Sequence, residues 1–306
     1  MKIGFVGLGH MGLPMARRLL DEGLELHVYN RTESKSRPLE SEGAYKARSA
    51  AELTARVDGV LACLADVEAS REVFLGENGI VAAAGAGQIL VDHSTVDPTT
   101  ARRIHDAARR KSAEFLDAPV SGGPVGAGTG SLTIMVGGDA AAVDKMRPVF
   151  RVMGNNIVHM GGPGSGVSAK LVNQALTGAH SLACCEALLL GARSGLSLEK
   201  LIPLIANSWG ASKMFARNAP IIVRDELGPS SVPIRNLVKD LEIVIEQARH
   251  AGIELAAIGE AHKVYRDAAD RGMTSDDIAA IYRLVEARHG ENRARSRPEG
   301  DPSSSK

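Results

Sequence analysis

One lysine stands in a stretch built almost wholly of small apolar residues, "GSGVSAKLVNQAL", residues 164 to 176. On a helix, Lys170, Asn173 and Gln174 fall at i, i+3 and i+4 and share a face. An ammonium among Val167, Ala169, Leu171 and Val172 is partly desolvated. That lowers its pKa toward a range useful for proton transfer. Asn173 can orient a substrate hydroxyl or hold the lysine. Taken alone, the stretch also fits a lysine that snorkels from an exposed helix start.

Two further stretches could meet a small anionic substrate. In "LDAPVSGGPVGAGTG", residues 116 to 130, a strand ends near Ala118 and runs into Ser121-Gly122-Gly123. A serine beside two glycines leaves backbone N–H groups uncovered next to a hydroxyl, a nest able to hold a carboxylate. A plain glycine-rich turn is the simpler reading of that loop by itself. In "NLVKDLEIVIEQA", residues 236 to 248, Lys239-Asp240 interrupts an apolar helix face. An ordinary pair of surface ions accounts for it equally well.

A dinucleotide signature opens the chain. In "KIGFVGLGHMGLPMARRLL" a short apolar strand precedes Gly7, Gly9 and Gly12, and a helical pattern follows. In such a turn one glycine permits the bend, one lets a pyrophosphate approach the backbone, and one allows close helix–strand packing. The intervening Leu8, His10 and Met11 lie on the same turn. A second strand ending at Tyr29 gives the motif the context it needs. After that strand an acid would accept from a ribose 2′-OH, whereas an arginine suits a 2′-phosphate. Here the residues are Asn30, Arg31 and Thr32. Asn30 does not repel a phosphate, Arg31 can bind it in bidentate fashion, and Thr32 adds a hydroxyl. The expected cofactor is NADP, with NAD second. A solvated surface arginine remains the alternative.

The elements that must carry these residues follow from periodicity. The first half alternates short apolar strands, at 3–6, 26–29, 60–64, 89–92, 114–118, 132–136 and 157–159, with amphipathic helical stretches. That alternation predicts a doubly wound, mainly parallel sheet of Rossmann type. Asp97 and Pro98 mark a helix start. "HMGGPGSG", residues 159 to 166, separates the halves. Beyond it the pattern is helical, at about 167–193, 198–208, 235–251, 254–270 and 275–288. The expected organisation is a dinucleotide-binding domain over 1–163, a helical domain over 164–289, and a disordered polar tail over 290–306.

Composition narrows the class. The 306 residues suffice for two domains, and 36 basic residues balance 36 acidic ones, which gives no sign of a nucleic-acid partner. The start of the chain has no signal-peptide pattern, and apolar runs look too interrupted to span a membrane. The three cysteines suit a reducing compartment, so a cytoplasmic location is expected. No Cys or His spacing suggests a metal.

Four ordered motifs, "GFVGLGHMGLPMA", "DAPVSGG", "GSGVSAKLVNQ" and "VKDL", together resemble the β-hydroxyacid dehydrogenase family, which includes 3-hydroxyisobutyrate dehydrogenases. The resemblance runs from residue 2 to about 288. It implies that Lys170 is the general acid/base and that Asn173 orients the substrate. Ser121, Gly122 and Gly123 would bind the substrate carboxylate, and Lys239 would lie near nicotinamide and substrate. Thr95, in "DHST", and Leu64-Ala65 would contact cofactor; the family often has proline at the position of Ala65. Trp209, in "NSWGASKMFARNAP", falls where the family varies its substrate pocket, although Trp209 and Phe215 could equally be packing residues. The resemblance also implies a long helix that packs in a homodimer, or a tetramer built from it. The reaction implied is hydride transfer between NADP and C3 of a small 3-hydroxy acid: 3-hydroxyisobutyrate, threonate, or a 3-hydroxy amino acid such as D-threonine. Alternatives are a semialdehyde reductase of the same family and a non-catalytic cofactor-binding module. Imine reductases of this fold lack the lysine found at 170, and 6-phosphogluconate dehydrogenases have a longer helical domain.

Overall fold

The computed structural model describes residues 1–295 and divides into two compact units, Met1–Asn173 and Gln174 onward. The first unit runs β1 (Lys2–Val6), α1 (Gly12–Asp21), β2 (Glu25–Tyr29), α2 (Arg37–Ser41), β3 (Tyr45–Lys46), α3 (Ala50–Thr54), β4 (Gly59–Ala62) and α4 (Val67–Leu75). It continues with α5 (Ile80–Ala83), β5 (Ile89–Asp92), α6 (Pro98–Arg110), β6 (Glu114–Asp117), β7 (Val120–Ser121), α7 (Gly123–Thr129), β8 (Leu132–Gly137), α8 (Ala140–Met153), β9 (Gly154–Gly161) and the first turns of α9 (Ser165–Arg193).

The strands form one sheet in the order β3-β2-β1-β4-β5-β6-β8-β7, with β9 also paired to β8. Pairings from β3 to β6 are parallel; β8 runs antiparallel to β6 and β7. Both faces are covered, and residues alternate between them. Ile3, Phe5, Leu61, Val91 and Leu116 join a core with Met15, Leu19 and Phe150. Val6, Val60, Leu90 and Phe115 turn to the other side, against Leu53, Phe74 and Ile104. The chain moves from β1 to β2 on one side and returns to β4 on the other. That reversal is the switch point where doubly wound sheets bind ligands.

All seven expected strands are present, and two short ones, β3 and β7, were not anticipated. Two-residue strands carry too little period-2 signal to be read. The expected start of α6 holds: the Asp97 carboxylate accepts from the Thr100 N–H at 2.7 Å, with Pro98 in the first turn.

The second unit contains the rest of α9, α10 (Leu198–Ala206), α11 (Lys213–Val223), α12 (Ile234–His250), α13 (Ala256–Asp270) and α14 (Ile281–Arg295). Leu188, Phe215, Ile234, Leu241, Tyr265 and Ile281 belong to its core. Helix α11 was not foreseen. Its cap is Ser212, whose hydroxyl accepts from the Phe215 N–H at 2.9 Å.

Packing divides the compact units at Asn173/Gln174, inside α9, because the first turns of α9 are bound to the end of β6; the expected boundary at 163/164 divides the sequence and not the packing. Helix α14 runs to Arg295, and the remainder of the expected tail, residues 296–306, lies outside the described ones. Helix α9 is long and apolar enough to cross a membrane by length and composition, contrary to the reading of interrupted runs. However, 44% of its most apolar window is buried inside the protein.

Candidate active site

The three glycines of the first turn occupy different environments. Gly7 has φ +92°, and a Cβ there would sit 2.4 Å from the Cys63 carbonyl oxygen. At Gly12, the first residue of α1, a Cβ would lie 1.9 Å from the Gly7 carbonyl oxygen. Both are barred from carrying a side chain by the turn and by close helix–strand approach. At Gly9 a Cβ would meet nothing within 4 Å. Packing does not require a glycine there. The open space over bare backbone at a helix N-terminus fits a pyrophosphate, so the residues present suit a dinucleotide.

Asn30 closes this turn. Its Oδ1 accepts from the Leu8 N–H at 2.8 Å and its Nδ2 donates to the Thr32 carbonyl at 2.8 Å. Arg31 and Thr32 are exposed, as is His10; Met11 is half-buried.

Next along the strand ends, the Leu64 N–H donates to the Ser94 hydroxyl at 2.8 Å. The Ser94 N–H donates to Asp92, which also accepts from the Ser70 hydroxyl. Thus the β4 loop, with half-buried Leu64 and exposed Ala65, is tied to the β5 loop that carries Thr95. His93 then links this loop to the next. Its Nδ1 lies 2.7 Å from the Ala118 carbonyl oxygen. A carbonyl only accepts, so Nδ1 bears the proton. Burial pushes the His93 pKa down to about 4, against a smaller upward effect of that hydrogen bond.

Ala118 leads into Ser121-Gly122-Gly123. Ser121 and Gly123 are half-buried and Gly122 is exposed. Both glycines take positive φ, 136° and 64°. The backbone therefore turns in a way that side chains resist, and it enters α7 with bare N–H groups.

Lys170 is only 7% exposed. That settles the choice between a snorkelling and an enclosed lysine in favour of the second. Asn173 lies one turn on and is half-buried. In the second unit, the Lys239 ammonium lies 2.9 Å from Oδ1 of buried Asp240, whose Oδ2 accepts from Gln174 Nε2 at 2.6 Å. This is not a pair of solvated surface ions. Trp209 is fully exposed after α10, whereas Phe215 is buried, so only the second is a packing residue.

Sequence reasoning missed Asp117, His93 and Ser94 as supports. Buried polar residues next to glycine-rich loops were the available signal. Asp117 is fully buried, and its pKa is raised to about 6, chiefly by that burial. Among the described residues no cluster of His, Cys, Asp or Glu is arranged to hold a metal ion.

A mainly parallel sheet with a glycine-rich turn at its switch point, followed by a helical unit, defines a dinucleotide-binding protein of Rossmann type. Residues 2–162 match the NAD binding domain of 6-phosphogluconate dehydrogenase, and residues 164–285 match the domain described as NAD-binding of NADP-dependent 3-hydroxyisobutyrate dehydrogenase. The chain belongs to the β-hydroxyacid dehydrogenase family. It is 35% identical to an NAD-dependent L-serine dehydrogenase of Pseudomonas aeruginosa, over 95% of this chain and 99% of that one. It is 32% identical to an L-threonate dehydrogenase of Cupriavidus necator, over 92% and 95%. Its structure resembles that of a 3-hydroxyisobutyrate dehydrogenase from Salmonella typhimurium, with TM-score 0.84 and 29% identity over 93% and 99% of the chains. An imine reductase from Pseudomonas sp. shares the fold alone, at 22% identity and TM-score 0.62.

Proposed function

We propose that this protein catalyses reversible hydride transfer between NADP and C3 of a small 3-hydroxy acid. The observation that carries the reading is Lys170: a lysine 7% exposed, one turn before Asn173, on a helix anchored at the carboxyl end of the sheet. A buried amine of this kind can take the hydroxyl proton as the substrate is oxidised and return it in reduction. Asn173 orients that hydroxyl. Ser121, Gly122 and Gly123 hold the carboxylate; Lys239, paired with Asp240 within the second unit, is assigned to substrate and nicotinamide by the family resemblance alone. The cofactor, held by Gly7 to Gly12, Asn30 to Thr32, Leu64, Ala65 and Thr95, supplies the hydride acceptor.

Exposed Arg31 and Thr32 after β2 support NADP over NAD. A similar structure at 26% identity, with TM-score 0.86, is a complex with NADP+. The named relatives act on serine, threonate and hydroxyisobutyrate, which favours a substrate with a carboxylate and a nearby hydroxyl. A 3-hydroxy amino acid such as D-threonine fits the same description. The second reading, a semialdehyde reductase, is supported by a 31% identical 2-hydroxy-3-oxopropionate reductase of Escherichia coli. Leu176 and Leu190, both exposed on the part of α9 within the second unit, support a homodimer or homotetramer, and a cytoplasmic location goes with this reading.

The test is a panel of 3-hydroxy acids, 3-hydroxy amino acids and semialdehydes assayed with NADP and NAD, alongside Lys170→Ala. Loss of a positioned acid/base costs about 10²–10⁴ in rate, with cofactor affinity retained. Turnover at the wild-type rate in Lys170→Ala would remove the lysine from its role. A chain that binds cofactor but turns over nothing in the panel would favour a binding module.

A further inference from the structure

We propose that Asp117 is a positioning residue for Lys170, holding the start of α9 on the end of β6. The inference rests on Lys170 being the acid/base. Asp117 Oδ1 accepts from the Gly164 N–H at 2.8 Å, and Oδ2 accepts from the Val167 N–H at 2.8 Å. The first N–H groups of a helix have no partner within it. Here one carboxylate on another element satisfies two of them, and Asp117 is completely buried.

The junction is tight on every side. A Cβ at Gly166 would lie 2.4 Å from the Met135 carbonyl oxygen and 2.5 Å from that of Asp117. A Cβ at Gly137 would lie 2.6 Å from Asp117 Oδ1 and 2.7 Å from the Gly166 nitrogen. The helix end is therefore wedged between β6 and β8, with glycine wherever the backbones meet. Val167 precedes Lys170 by three residues, about 4.5 Å along the axis. No hinge separates the clamp from the lysine. Asp117 is also the first residue of the segment that leads to Ser121-Gly122-Gly123, so one side chain fixes the lysine relative to the carboxylate loop.

A neutral amide at 117 keeps the shape but puts an N–H₂ group against a backbone N–H. The helix start would then shift or fray. A misplacement of about 1 Å can cost about 10²-fold in rate. For Asp117→Asn we expect kcat to fall roughly 10- to 100-fold, with KM and the Kd for NADP within about twofold of wild type. Hydrogen exchange should show lost protection of amides 164–170 while the strands of the sheet keep theirs. Gly137→Ala, which crowds the same junction and leaves the carboxylate in place, should reproduce both effects. Wild-type kcat in Asp117→Asn, with Lys170→Ala inactive, overturns the proposal. So does a fall in kcat accompanied by an equal loss of cofactor binding and of protection throughout the sheet. If Lys170→Ala stays active, the reading of the lysine itself is what fails.

Discussion

Asn30 and Leu8 are joined by a hydrogen bond of 2.8 Å, from the Leu8 N–H to Asn30 Oδ1. The same amide donates to the Thr32 carbonyl, so a residue read from sequence as a ribose neighbour also braces the glycine turn. An aspartate at 30 would still accept from Leu8 but would set a carboxylate oxygen against the Thr32 carbonyl.

The test of NADP preference therefore belongs to Arg31. Hydrogen bonds to a charged group contribute about 1.5–3 kcal/mol, so Arg31→Ala should weaken NADP by roughly one to two decades and leave NAD nearly unchanged. The preference should shrink with added salt, because Arg31 is exposed. Asn30→Asp, by contrast, should weaken both cofactors. Measured kcat/KM for both cofactors in the two variants checks this; equal loss of NADP and NAD in Arg31→Ala would count against a 2′-phosphate contact.

Gly9 and Gly12 should separate binding from folding. A methyl at Gly12 would lie 1.9 Å from the Gly7 carbonyl oxygen, whereas one at Gly9 meets no protein atom within 4 Å. Gly9→Ala should keep the wild-type Tm and lose cofactor affinity, and Gly12→Ala should lower Tm as well. Thermal melts with and without NADP distinguish the two.

Ser121→Ala should raise substrate KM about tenfold, the loss of one hydrogen bond to a charged group, while the Kd for cofactor is unchanged. A methyl ester of the best substrate should be used poorly by both proteins. Equal efficiency with acid and ester would remove the carboxylate from the Ser121-Gly122-Gly123 loop.

His93 gives a pH dependence with a defined sign. Its folded pKa, about 4, lies below the ordinary 6.5, so the unfolded chain takes up the proton first. The stability it contributes is complete above about pH 6.5 and is lost as pH falls toward 4, by about 3 kcal/mol in all. Asp117 acts oppositely. Its folded pKa is raised from 3.8 to about 6, so its contribution is full below about pH 4 and lost as pH rises through 6. The two offset in the wild type. In His93→Asn, which keeps a donor for the Ala118 carbonyl, stability should rise on acidification from pH 6.5 to 4 relative to wild type, read from urea midpoints. Parallel profiles for the two proteins would show that His93 is not held neutral.

The strand–helix alternation, the glycine turn and the helical second half were legible because each is a local matter: period-2 and period-3.6 patterns, and glycines placed where a turn demands them. Lys170 stood out for the same reason, as a charge among apolar neighbours in its own segment. Tertiary structure decided what no local pattern carries. Asp117 is 47 residues from Gly164 and His93 is 25 from Ala118; their roles come from parallel strands that set distant loops side by side. Even Asn30, read correctly as lying at the end of β2, spends its amide on a turn 22 residues upstream. Sequence marks where polar groups occur, but burial and the partner that satisfies each one depend on which strand ends the sheet brings together.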